Sequence, residues 1–272
     1  MVQRHSRNGS PRRRLFEAMT RVGLEHAGRA AVGVCNRVDA LRVPADPLVA
    51  DPPERWRGSG PVVLVGGFAA TGPVLAPMAG WLERLGWDVV PVTDGAGLGC
   101  AGRAADALTE QLHVAAERSG TPVRVIGHSR GGQFARVAAR QALDAGVDVA
   151  ALVTLGSPFD LYGLRWPLLA QATALSLVGS LGAPGLASLA CLRGPSFRAG
   201  LRARWTPEVP FTSIYSPHDR AVPASSSIDP HARNVEVATG HVGLLTTPSA
   251  LTAVADALVT PDASRAVPLS AV

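Results

Sequence analysis

VRVIGHSRGGQFARVAAR, residues Val123 to Arg140, passes from a β-branched stretch through a glycine-flanked serine into alanine-rich helical periodicity. The β-branched run predicts a strand over Val123–Gly127. Beyond the serine, Phe134, Val137 and Ala138 fall on one face of a helix able to pack on a sheet. Gly127 and Gly131 leave room for a tight turn that lifts Ser129 out at the strand's carboxyl end, and the helix behind it aims backbone N–H groups at the same spot. Gly146, just past that helix, stands where a C-cap glycine belongs. The pentapeptide G-x-S-x-G is weak evidence by itself in a chain with 29 glycines, and read alone Ser129 is a small polar turn residue. The strand–turn–helix setting is what gives it chemical meaning.

Outward from this stretch the alternation continues. Short apolar runs predict strands at Val62–Val65, Trp87–Val92, Ala150–Leu155, Phe211–Tyr215 and Asn234–Val237, with helical patterns near 73–85, 101–118, 131–145 and 248–258. Strands separated by helices of this length pair in parallel, with helices on both faces. Residues 1–55 read as a basic tail, a helical stretch over 14–38 and a Pro-rich linker (VPADPLVADPPERWRGSG), 56–260 as one α/β domain, and 261–272 as a C-terminal tail. A chain of 272 residues suits one large domain with a substantial core.

A serine does not react at neutral pH without a base, and the base needs an orienter. IYSPHDRAVP puts Asp219 just after one predicted strand, and VEVATGHVGLLT puts His241 just after the last. The order Ser129, Asp219, His241 is that expected of an α/β-hydrolase, with all three at the carboxyl edge of a parallel sheet. Asp160, just beyond LGSP, follows the neighbouring strand and is the other carboxylate placed to orient a base. In VVLVGGFAAT, Gly66 and Gly67 permit close backbone approach, so the Phe68 N–H joins that of Arg130 as a candidate oxyanion donor. His128 reads as a structural neighbour of the turn, and His218 and His231 as exposed loop residues.

The stretches VLVGGF, VIGHSRGG, LVTLGSP, YSPHDRAVP and ARNVEVATGHVGLLT, in order over about residues 60–258, resemble the bacterial family I lipases, particularly the small Bacillus-type triacylglycerol lipases and esterases. The resemblance implies an α/β-hydrolase fold with a mostly parallel sheet of about six strands flanked by helices. It implies Ser129 as nucleophile, Asp219 as acid, His241 as base, and Phe68 and Arg130 as the oxyanion hole. The implied reaction is hydrolysis of carboxylic esters without metal or organic cofactor. Three positions depart from the family pattern. Gly66 stands where members often have histidine, Arg130 replaces the usual apolar or amide residue, and the segment between LGSP and Asp219 is much longer.

Within that longer segment, Trp166–Leu192 holds no charged residue. As one helix it would reach ~40 Å and cross a bilayer, but a crossing would leave Ser129 and the Asp219–His241 pair on opposite sides. Gly179, Gly182, Pro184 and Gly185 break the run and predict two short helices. The expectation is an apolar helical cap over about 160–208, inserted before the strand carrying the acid and shaping an acyl pocket.

All 26 basic residues are arginine against 21 acids, and the net +5 is matched by Arg4, Arg7, Arg12, Arg13 and Arg14 in the tail. With no basic face and no aromatic platform, a nucleic-acid partner is not expected. Cys35, Cys100 and Cys191 are odd in number and widely spaced, which speaks against a disulfide framework or a zinc site. No long apolar stretch follows the N-terminal arginines as a signal peptide requires, so the expected location is cytoplasmic, with the cap or basic tail offering a peripheral membrane contact. The expected function is a serine hydrolase cleaving lipid or other apolar acyl esters through an acyl-enzyme. An acyltransferase on the same triad and a non-catalytic lipid- or partner-binding protein are the alternatives.

Overall fold

In the computed structural model, residues 45–68, 70–93, 97–159, 164–192 and 194–259 are described. The helix expected over 14–38, the C-terminal tail and Asp160 lie outside the described residues. A short helix α1 (Pro47–Ala50) and a 3-10 turn (Glu54–Trp56) lead into β1 (Pro61–Val65). There follow α2 (Gly72–Arg84), β2 (Asp88–Val92), α3 (Ala101–Ser119), β3 (Val123–His128), α4 (Arg130–Asp144) and β4 (Val149–Leu155). The cap contributes α5 (Trp166–Ser180), α6 (Leu189–Leu192) and α7 (Pro195–Arg202). Then come β5 (Phe211–Tyr215), α8 (Ala224–Ser227), β6 (Arg233–Glu236), a 3-10 turn (Val242–Leu245) and α9 (Pro248–Val259). Each of the six strands and four core helices expected from sequence is present within one residue at either end.

The sheet runs β2-β1-β3-β4-β5-β6, and every pairing is parallel. Period-two alternation divides its side chains between two cores. Val62, Leu64, Ile126, Val153 and Ile214 face α2 and α9, while Val63, Val65, Val125, Leu152 and Phe211 face α3, α4 and α7. From β1 the chain turns to one side of the sheet and from β3 to the other. The loops leaving these adjacent strands therefore diverge, and a crevice opens at their carboxyl ends.

Two features differ from the sequence reading. Part of the stretch read as linker packs on the domain: Val49 and Trp56 are core residues, and Trp56 Nε1–H donates to Asp256 Oδ1 at 2.6 Å on α9. The cap breaks at the expected glycines, but its first helix is apolar on all sides. Trp166 and Leu181, at its two ends, are 76% and 85% exposed.

Helix α4 is buried along most of its length, and Arg136 lies in its middle with a side chain 3% exposed. All three of its nitrogens donate. Nε donates to Asp229 Oδ2 at 3.1 Å, Nη1 to the carbonyls of Leu201 (2.6 Å) and Gly200 (3.2 Å), and Nη2 to that of Ala203 (2.8 Å). One side chain thus satisfies a buried carboxylate and the orphan carbonyls at the end of α7, holding the cap's last helix to α4. Removing one partner of such a pair leaves an uncompensated buried charge. Arg136→Ala is expected to lower unfolding free energy by about 3–5 kcal/mol, measured by urea denaturation. Arg136→Lys should recover only part of this, because an ammonium cannot span the four acceptors.

Candidate active site

Ser129 lies between β3 and α4, in the crevice. Its N–H extends the β3–β4 ladder by one bond, to Leu155 O at 2.8 Å, and the backbone then turns through φ 56° and ψ −129°. Among the described residues, it is the sole non-glycine with positive φ. Such a conformation costs of order 1–3 kcal/mol and persists only where the surroundings over-determine it. Here they do. A Cβ on Gly127 would come within 2.4 Å of Gly132 Cα, and one on Gly131 would strike the carbonyl oxygens of Val65 and Gly66 at 2.5 and 2.6 Å. The turn is wedged against the loop leaving β1. That loop meets the serine directly, since a Cβ on Gly67 would lie 2.7 Å from Ser129 Cβ and 3.0 Å from Arg130 N. Phe68, the next residue, is half-buried beside it.

Asp219 follows β5 and His241 follows β6, and both are buried. His241 Nδ1 and Asp219 Oδ2 are 2.6 Å apart. Asp219 Oδ1 accepts from the backbone N–H groups of Ala221 (2.7 Å) and Val222 (2.9 Å). Burial pushes the carboxyl pKa up, but the hydrogen bond and charge of His241 and the two N–H groups outweigh it, so Asp219 stays below its ordinary value. An ionised carboxylate only accepts, so the proton of this contact is carried by Nδ1. Ser216 ties the two loops together: its Oγ donates to Thr239 O at 2.6 Å and accepts from Thr239 N–H at 3.2 Å.

His128 links this pair to the serine turn. Its ring lies 4.7 Å from that of His241, tilted by 42°, and its Nε2–H donates to the His241 carbonyl at 3.0 Å. Burial, with His241 beside it, pushes its pKa down to about 3, so it is neutral. Beneath Asp219 and His241 lies Gly156, with φ 53°. A Cβ there would be 3.0 Å from Asp219 Oδ2, 3.3 Å from His241 Nδ1 and 2.6 Å from Leu244 Cδ1.

No family model and no curated protein sequence matches the chain. Its structure is similar to solved enzymes at low identity. The mature Bacillus licheniformis lipase matches with TM-score 0.51 and 15% identity over 74% of this chain and 92% of that one. A metagenomic carboxyl esterase matches at 0.55 and 16%, over 73% and 74%. Aspergillus fumigatus lipase B matches at 0.56 and 21%, over 83% and 58%. The chain has the α/β-hydrolase fold.

On this hydrolase fold the residues singled out from sequence gather at the carboxyl edge of the sheet: Asp219 touches His241, His241 packs on His128, and the β1 loop bearing Phe68 rests on Ser129 and Arg130. His218 and His231 are exposed. The Arg130 side chain turns towards the β2–α3 loop, donating to the carbonyls of Gly97 and, at 3.1 Å, Gly99. Its guanidinium carbon lies 5.2 Å from the Phe134 ring centre, and burial lowers its pKa to about 10, which leaves it charged at neutral pH. Sequence reasoning missed Gly156, Ser216 and the link made by His128. Their only sequence signal was a place inside LGSP, YSP and GHS.

Two outcomes follow from this geometry. Gly156→Ala forces a Cβ against the Asp219–His241 contact at a left-handed backbone position. It should cost about 1–3 kcal/mol and erase the low-field proton resonance of that hydrogen bond in NMR spectra. The second concerns acid. Unfolded, His128 takes up a proton below its ordinary pKa of 6.5, whereas folded it resists down to about 3. This contribution is complete above 6.5 and lost as pH falls, by up to about 1.4 kcal/mol per pH unit. Asp219, held low when folded, adds a loss of the same sign at more acid pH. Denaturant unfolding across this range should show a shallower acid loss for His128→Asn than for wild type.

Proposed function

We propose that the chain is a serine hydrolase of carboxylic esters, working through Ser129, His241 and Asp219. The observation that carries this reading is the buried 2.6 Å His241–Asp219 contact, packed through His128 against a serine held in a strained turn at the sheet's crevice. Ser129 Oγ attacks the ester carbonyl while His241 Nε2 takes its proton, and Asp219 holds the imidazole in the tautomer that leaves Nε2 free. The N–H groups of Phe68 and Arg130 receive the oxyanion, the second reinforced by the N-terminus of α4. His241 then protonates the leaving alcohol. Water, deprotonated by the same imidazole, attacks the acyl-enzyme and returns Ser129 Oγ with its proton.

Several observations support an apolar acyl group. Trp166, Leu177, Val178 and Leu181 are exposed on or just past the first cap helix, and Trp166–Leu192 carries no charge. A surface of this kind suits contact with a lipid aggregate. Among the described residues, no helix is long and apolar enough to cross a membrane. The lipases and esterase that share the fold are consistent with ester chemistry.

The test is hydrolysis of p-nitrophenyl esters from acetate to palmitate by wild type and Ser129→Ala side by side. The expected result is activity rising towards longer chains in wild type, with a loss of at least about 10³-fold in the variant. A folded wild type that cleaves none of these esters would falsify the reading. Adding an alcohol acceptor and analysing the products separates hydrolysis from acyl transfer on the same triad.

A further inference from the structure

Two thiols outside the Ser129 site meet at the seam between cap and core. Cys100 stands immediately before the first turn of α3, and Cys191 lies in α6 of the cap. Their thiols lie close enough to act on one another, and both residues are half-buried. Backbone contacts create this meeting without help from the sulfurs. Ala187 N–H donates to Leu98 O at 2.8 Å, joining the cap to the loop just ahead of Cys100, and α6 packs on α3. Cys191 is seated by its own N–H to Ser188 Oγ at 3.2 Å. From the core side, Arg130 grips the Gly97 and Gly99 carbonyls, the second belonging to the residue before Cys100.

We propose that Cys100 and Cys191 form a thiol–disulfide exchange site, which takes a low-molecular-weight disulfide such as oxidised glutathione and closes into a covalent bond between cap and core. The Cys191 thiolate attacks one sulfur of the incoming disulfide and expels the first thiol, forming a mixed disulfide. The Cys100 thiolate then attacks the Cys191 sulfur and expels the second. The two protein thiols lose two electrons and two protons, and the small disulfide gains them as two thiols. Cys191 is given the first attack. The neighbouring Cys100 thiol holds that of Cys191 below the ordinary value against the upward push of burial, with Ser188 and Arg103 acting in the same direction.

The bond would reach towards the hydrolytic site through one loop. A Cβ on Gly97 would lie 2.4 Å from Gly67 O and 3.0 Å from Phe68 N, so the segment ahead of Cys100 backs the peptide that carries a proposed oxyanion donor. Oxidation therefore fixes the cap to the support of that donor. This consequence rests on the hydrolase reading, whereas the bond does not.

The experiment incubates the full chain in glutathione buffers of graded redox poise, counts free thiols and maps peptides by mass spectrometry. The expected result is loss of two titratable thiols and a linked Cys100–Cys191 peptide free of glutathione, reversed by dithiothreitol. Cys100→Ser should strand Cys191 as a stable glutathione adduct. The proposal is overturned if both cysteines carry glutathione without joining, if either links to Cys35 instead, or if both stay reduced in the most oxidising buffer. The readout uses no ester, so it stands or falls separately from any failure of ester hydrolysis.

Discussion

Between β3 and α4 the backbone has a single residue in which to leave the sheet and enter a helix, and Ser129 makes that turn at φ 56°. The turn closes only because Gly127, Gly131 and Gly132 present no side chains where β1, β3 and α4 converge. A methyl group at Gly127 or Gly131 would push α4 away from β3 and the end of β1, and one at Gly132 would strike the Ser157 side chain beyond β4. The same closeness brings the loop after β1 into contact with Ser129 and Arg130. Strain at one residue is thus maintained by dense packing around it, and the crevice at the divergence of β1 and β3 is its geometric result.

The buried charges of Asp219 and Arg136 are each met by several hydrogen bonds. Asp219 receives His241 and two backbone N–H groups, and Arg136 is shared among Asp229 and three carbonyls. His128 follows the other route: with a carbonyl as partner and His241 beside it, burial leaves it neutral. These choices follow from the cost of removing an ion from water, which is several kcal/mol unless its polar atoms find partners. They also act in different places, since Asp219 is joined to His241 whereas Arg136 holds the last helix of the cap.

The cap is anchored unequally. Helix α7 is bound through Arg136 and through Phe197 packed edge-on to Phe134, with ring centres 6.2 Å apart. Helix α5 has one buried residue, Ser176, and exposes apolar side chains. Between them the turn before α6 contacts the β2–α3 loop at Leu98, which places both cysteines on the boundary between the fastened and the exposed parts.

The amino-acid pattern alone determined the strand and helix order, because period-two and period-3.6 apolar spacing records which faces are buried. It also singled out Ser129, Asp219 and His241, because each follows a strand in an order that brings all three to one sheet edge. Other features were decided only in three dimensions. Arg136 carries no local sign of burial in the sequence, yet α3, α7 and the sheet enclose α4 so fully that this arginine lies inside. Gly156 and Ser216 act through contacts with residues far along the chain, and no local spacing encodes those distances. Cys100 and Cys191, too far apart in sequence to suggest a pair, meet because the cap folds back across α3. Local periodicity reports burial, whereas the meeting of particular side chains depends on how whole elements pack.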